Sequence, residues 1–141
     1  MTVGRAGKIG VFRLLENDDL IEAIKRKAEK SNIKAGAFIL IGSIKHAVLG
    51  YYKNGEYKDT LLEGPLEVAS CMGNIAVDEK GEVVVHAHLV VTNEKGEAFG
   101  GHLMKDSPVG ATAELIIIEA TGLNMQRIFD DKTKLRLLRL T

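Results

Sequence analysis

The chain carries one cysteine, two prolines, no tryptophan, and only four Phe and three Tyr in 141 residues. With Cys71 alone no intrachain disulfide can form, and a reducing compartment fits that composition best. Stability must then come from a buried core, for which a chain of this length suffices. Charge of one sign is missing as well, since 19 Lys and Arg stand against 19 Asp and Glu. A protein that grips phosphates usually carries a basic surplus, and one that stacks on bases needs aromatics. Both absences argue against direct binding of DNA. The longest apolar runs, such as 38–42 and 115–118, fall far short of the ~20 residues of a membrane helix. The segment Met-Thr-Val-Gly-Arg-Ala-Gly-Lys has no apolar stretch behind its charges, unlike a signal peptide. These readings predict a cytoplasmic protein without membrane contact. No linker, low-complexity segment or repeat divides residues 1–141, so one domain is expected, with Pro65 and Pro108 in connections.

What is present is an ordinary globular pattern, 45% apolar and 27% charged. Residues 8–15 read as a first strand. Asp19 and Glu22 have capping-box spacing, and Leu20, Ile21, Ile24 and Ala28 recur at helical intervals, which predicts a helix over 18–31 ended by Asn32. The pattern then turns to strands: 37–41, a turn at Gly42-Ser43, 45–52, a turn at Asn54-Gly55, 66–72, 83–91, 97–103, 113–118 and 135–140. One helix followed by consecutive strands implies an α+β fold, an antiparallel sheet with the helix packed on one face.

Three of the four histidines fall on one predicted hairpin. His86 and His88 are two apart on a strand and project from the same face. With 93–96 as a four-residue loop and Val91 paired to Glu97, His86 faces His102 and His88 faces Gly100. Gly100-Gly101 admits a bulge there, and both glycines remove bulk where another group approaches the backbone. A solvated hairpin face would account for any one of these histidines alone. Three imidazoles on one face instead point to a site for a divalent ion, zinc first, with a fourth position left open. Glu67 and Glu114 lie inside strand patterns where carboxylates need partners, and Arg13 could pair with either; Glu67 and Arg13 are therefore candidate supports of the site. His46 and Cys71 read as packing residues. No Ser-His-Asp set, phosphate loop or paired carboxylates are present, so no catalytic residue is assigned and enzymatic function is not favoured.

Several stretches resemble a known family. They are Gly42-Ser43-Ile44-Lys45-His46-Ala47-Val48-Leu49-Gly50-Tyr51-Tyr52, Gly64-Pro65-Leu66-Glu67-Val68-Ala69-Ser70, His86-Ala87-His88 with Phe99-Gly100-Gly101-His102-Leu103, and Arg127-Ile128-Phe129-Asp130-Asp131-Lys132-Thr133. Together they are similar to the plants-and-prokaryotes-conserved (PPC) domain of the free-standing prokaryotic type, over about residues 8–141. The resemblance implies the α+β fold, a homotrimer, and a metal on the histidines matching His86, His88 and His102. In plants such domains follow an AT-hook and contact transcription factors, which makes DNA binding or a transcription-factor contact the alternative function. The plant motif Gly-Arg-Phe-Glu-Ile-Leu corresponds to Gly64-Pro65-Leu66-Glu67-Val68-Ala69, with proline for arginine, and Gly4-Arg5-Ala6-Gly7 lacks the second arginine and proline of an AT-hook core.

The favoured expectation is a trimeric metal-binding domain whose metal supports a small-molecule ligand site or the assembly itself. A metal-dependent enzyme, with bound water brought to a pKa near ~7, is the remaining alternative. Leu89, Val91 and Phe99 flank the histidines while Val83, Val85 and Ala87 alternate with them. The hairpin is therefore expected to be apolar on both sides, with a neighbouring subunit covering the side the helix leaves open.

Overall fold

A computed structural model describes residues 2–141. The elements run β1 (Arg5–Leu14), α1 (Leu20–Lys30), β2 (Gly36–Lys53), β3 (Glu56–Val77), β4 (Val83–Thr92), β5 (Ala98–Leu103), β6 (Val109–Thr121), β7 (Met125–Asp130) and β8 (Leu135–Leu140). Among the described residues, eight strands and a single 11-residue helix give a more strand-rich fold than a balanced α+β one. The sheet is antiparallel except where β3 and β7 run parallel, in the order β1-β6-β2-β5-β4-β3-β7-β8. β2 also pairs with β3 along its length and with β5 at Leu49–Leu103 and Gly50–His102. Strands β2 to β5 thus close on themselves through consecutive ladders.

The helix forms where its caps direct it. Asp19 Oδ1 accepts from the Glu22 backbone N–H at 3.0 Å, satisfying a donor that the first turn leaves free. The Glu22 carboxylate does not return the favour, because it pairs with Lys105 Nζ at 2.6 Å. At the other end Asn32 takes a left-handed φ of 53°. Its N–H donates to the Glu29 carbonyl and that of Ile33 to the Ala28 carbonyl, the two bonds of a Schellman ending. Leu20, Ala23, Ile24 and Ala28 are fully buried against β4 and β6.

Two expected connections are strand instead. Gly42 is not a turn: β2 runs straight through it with a φ of 144°, and the ladders to β3 and β6 change register there. A Cβ at Gly42 would lie 2.4 Å from the Thr112 carbonyl oxygen, so only glycine lets β6 approach this bulge. Pro65 lies within β3, at an irregularity of the β2–β3 ladder where its missing N–H costs no regular bond. β7 was not anticipated, because its six residues alternate too weakly in polarity to mark a strand.

The core fills one side of the sheet. Val83, Ala87, Leu89 and Val91 of β4 face it together with Phe38, Leu40, Cys71, Leu103, Leu115 and Ile117. Leu89 and Val91 therefore share the helix side with Val83 and Ala87, which corrects the expectation of an apolar hairpin on both sides. Successive residues of a strand alternate faces, and these four are separated by even numbers of residues. The opposite face is apolar for a different reason, because neighbouring strands contribute to it. Cross-strand pairing aligns Val11 with Ile116, Ile116 with Ile39, Ile39 with Met72, and Met72 with His88. Val11, Ile39 and Met72 are more than half exposed.

Candidate metal centre

The histidines sit on that opposite face, where β4 and β5 pair. Observed pairing is His88 with His102 and Val91 with Phe99, not His86 with His102. The loop is longer than expected by the closure of its own side chain: Asn93 Oδ1 accepts from the Lys95 and Glu97 N–H groups, and Gly96 adopts a φ of 75°. Pairing consequently begins at Thr92–Ala98. This two-residue slip preserves the face, since the side-chain period of a strand is two. The Gly100-Gly101 pair forms no bulge; the β4–β5 ladder is continuous through it.

Ring centroids lie 5.3 Å apart for His86 and His88, 5.0 Å for His86 and His102, and 5.5 Å for His88 and His102. One ring nitrogen from each falls within 4.8 Å of the others. His86 and His102 are half-buried and His88 is exposed. Burial first, then the Arg127 guanidinium and the other two imidazoles, hold the His86 pKa down at about 4 from 6.5. His102 is lowered as well, by burial first and then by His88 and Arg127. Neutral imidazole is the form that ligates a metal, so proton competition at His86 and His102 is weak near neutrality. Three imidazole nitrogen donors on one ladder fit a divalent ion of the zinc type and would leave room for a further ligand.

Strand spacing is set beside the site. Gly73 of β3 pairs with Ala87, and a Cβ there would meet the His86 carbonyl oxygen at 2.0 Å and Ala87 Cα at 2.9 Å. Glycine alone lets β3 approach β4 this closely. Asn74, the next residue, lies opposite His86.

Surrounding groups complete the geometry. Tyr57 stacks over His102 with centroids 4.6 Å apart, its hydroxyl 3.4 Å from Nδ1. Burial raises the Tyr57 pKa, so it remains a phenol. Arg127 of β7 is buried at 8% exposure; its Nη2 donates to Asn74 Oδ1 at 2.8 Å and to His86 Nδ1 at 2.9 Å, and its Nη1 to the Arg136 carbonyl at 3.3 Å. Tyr52 Oη donates to the Thr133 carbonyl at 2.6 Å, fastening the β2–β3 hairpin to the β7–β8 turn. Between these elements opens a cleft of about 460 Å³ with His86, His102, Tyr57 and Arg127 on its wall.

The two other sequence candidates lie elsewhere. Glu67 is on the histidine face but pairs with Thr92, four residues along β4 from His88 and so roughly 13 Å away at ~3.3 Å per residue. Arg13 lies opposite Glu114 on the β1–β6 ladder, across the sheet from the histidines. Sequence reasoning passed over Asn74, Tyr57 and Arg127. The signal that could have found Arg127 is a guanidinium between Met125 and Ile128, in a segment otherwise suited to burial.

A mainly antiparallel sheet with one capping helix and a three-histidine cluster on its open face defines the class. The sequence pattern of the Plants and Prokaryotes Conserved (PCC) domain matches residues 1–121, and the chain belongs to that family. A plant- and prokaryote-conserved protein from Pyrococcus horikoshii is 33% identical, with a TM-score of 0.91 over 99% of this chain and 96% of that one. A metal-containing protein from Archaeoglobus fulgidus is 30% identical, with a TM-score of 0.88 over 99% and 98%. Among curated proteins, the bifunctional protein GlmU of a Synechococcus strain is 32% identical over 131 residues. That alignment covers 90% of this chain but only 20% of the relative, so the chain spans about a fifth of its length.

Proposed function

We propose that His86, His88 and His102 hold one divalent ion, zinc first, and that the protein is a metal-binding domain assembled as a homotrimer. The observation that carries this reading is the convergence of three imidazole nitrogens within 4.8 Å on one face. Its support is the lowered basicity of His86 and His102, and the likeness over nearly the whole chain to a protein described as metal-containing. Mass spectrometry of protein purified without added metal tests it. One equivalent of zinc is expected per chain, and less than a tenth of that in His86→Ala/His88→Ala. Equal metal content in the two proteins sinks the reading.

The trimer is supported by the face the helix leaves open. Ile9, Val11, Ile39, Ile41 and Met72 are each more than half exposed and form a continuous apolar surface through paired strands up to His88. A soluble surface of this extent needs a cover, and a second copy of the same face supplies one. On this reading the subunit boundary runs beside the histidines, and the metal serves the assembly or a ligand at its edge.

A further inference from the structure

The cleft beside the histidines contains a buried cation that lacks a counter-ion. Three cations and the exposed Glu56 line it; Lys134 pairs with Asp131 and Arg136 with Glu79, and among the described residues Glu56 pairs with none of the three. Arg127 has no carboxylate partner among the described residues. Its acceptors are the Asn74 amide oxygen, a backbone carbonyl and an imidazole, all neutral, and its Nε is buried with no partner. Burying a guanidinium without an anion is costly, and such a group persists where an anion completes it.

The bond to His86 sharpens the point. A guanidinium only donates, so His86 Nδ1 must accept, and a neutral imidazole has a single lone pair to offer. That lone pair can serve Arg127 or a metal, not both. If the metal takes Nδ1, the acceptor is gone. If it takes Nε2, the ring proton moves to Nδ1 and faces the guanidinium as a second donor. Either way, loading the site strips Arg127 of one partner and leaves the N–H that met His86 to be satisfied by another acceptor beside the metal.

We infer that the cleft binds the carboxylate of a small organic acid, one oxygen on the metal's open position and the other on Arg127, with the acid's apolar body against Val84, Leu135 and Leu137. The inference rests on the metal reading above. A carboxylate matches the fork of a guanidinium, the cleft lies in the size range of small-molecule sites, and its aliphatic side favours an acid with a hydrocarbon tail. A phosphate dianion is less suited, because the other two cations are already neutralised by their own partners.

The test uses the full chain loaded with Co²⁺, whose visible bands report the ligand set, titrated with hexanoate and with the neutral hexanamide. Hexanoate is expected to shift the bands and bind at least tenfold more tightly than hexanamide. By reciprocity it should also tighten Co²⁺ binding by the factor by which Co²⁺ tightens hexanoate binding. Arg127→Gln should lose at least tenfold in hexanoate affinity while still giving the three-histidine Co²⁺ spectrum. If that variant does not fold, the hexanoate–hexanamide comparison on the unaltered protein decides alone. A Co²⁺ spectrum indifferent to 10-fold molar excesses rising to ~50 mM hexanoate overturns the inference and leaves the metal reading standing. Failure of Co²⁺ to bind at all overturns both. Carboxylate ligation before any acid is added, lost on dilution, would assign the place to a neighbouring subunit's own side chain and overturn the inference as well.

Discussion

At the scale of the residue, the histidine cluster is a case of burial setting chemistry. His86 sits near a guanidinium and two imidazoles in a half-buried position, so its neutral form is favoured down to about pH 4, against 6.5 for the free side chain. The unfolded chain takes up this proton first, as pH falls below about 6.5. The metal-free protein should therefore have its full His86 contribution above pH 6.5 and lose it progressively as pH falls toward 4. Urea unfolding in the presence of a chelator, at pH 7, 6 and 5, reads this directly. Stability should fall over that interval, and the slope should flatten in His86→Gln. A profile that is level or rising toward pH 5 would contradict the burial argument. The same physics makes Cys71 inert, since burial pushes its thiol up to about 12. The three histidines were legible in the sequence because face parity survives a register error of two. Arg127 was not, because its role depends on where β7 lies and no local pattern announces that.

At the scale of the element, the strands owe their spacing to single residues. Gly73 places the β3 and β4 backbones so close that an added Cβ would sit 2.0 Å from the His86 carbonyl oxygen. Gly73→Ala should cost about 1–3 kcal/mol, the usual range for overpacking, and should weaken metal binding by moving His86. Chemical unfolding and a zinc competition titration measure the two effects. An alanine variant with unchanged stability and zinc affinity would show that the ladder yields freely. The helix was readable to within two residues because caps are local chemistry: Asp19 at the start and Asn32 at the end act on their own neighbours. Long strands were less readable. Gly42 and Pro65 look like turns in isolation, yet β2 passes through Gly42 between ladders to β3 and β6, and β3 passes through Pro65 because its ladder to β2 resumes on either side of the irregularity. Such long-range pairing overrides local preference.

At the scale of the whole molecule, one sheet has a helix on one face and none on the other. The exposed apolar stretch from Val11 across Ile39 and Met72 to His88 is the face on which the proposed trimer would form. Sedimentation equilibrium should give three times the 15.3 kDa chain mass at micromolar concentration, and Ile39→Asp should shift it toward the single-chain mass. A single-chain mass for the unaltered protein at every concentration would contradict the trimer. The antiparallel sheet with one packed helix was legible from the order of periodicities, but its excess of strand over helix and the apolar outer face were not. That face is built from residues on five strands, and the pattern of any one of them shows only an exposed side chain. Family membership and fold do not by themselves fix function; the site does, through the one metal that the three histidines are proposed to hold.

The most direct test is X-ray absorption at the zinc edge on protein loaded with one equivalent. Three imidazole nitrogens at ~2.0–2.1 Å, with their outer-ring scattering, are the expected first shell. That scattering should fall to two imidazoles in His88→Ala. A shell of oxygens alone in the unaltered protein, with no imidazole signature, would contradict the account.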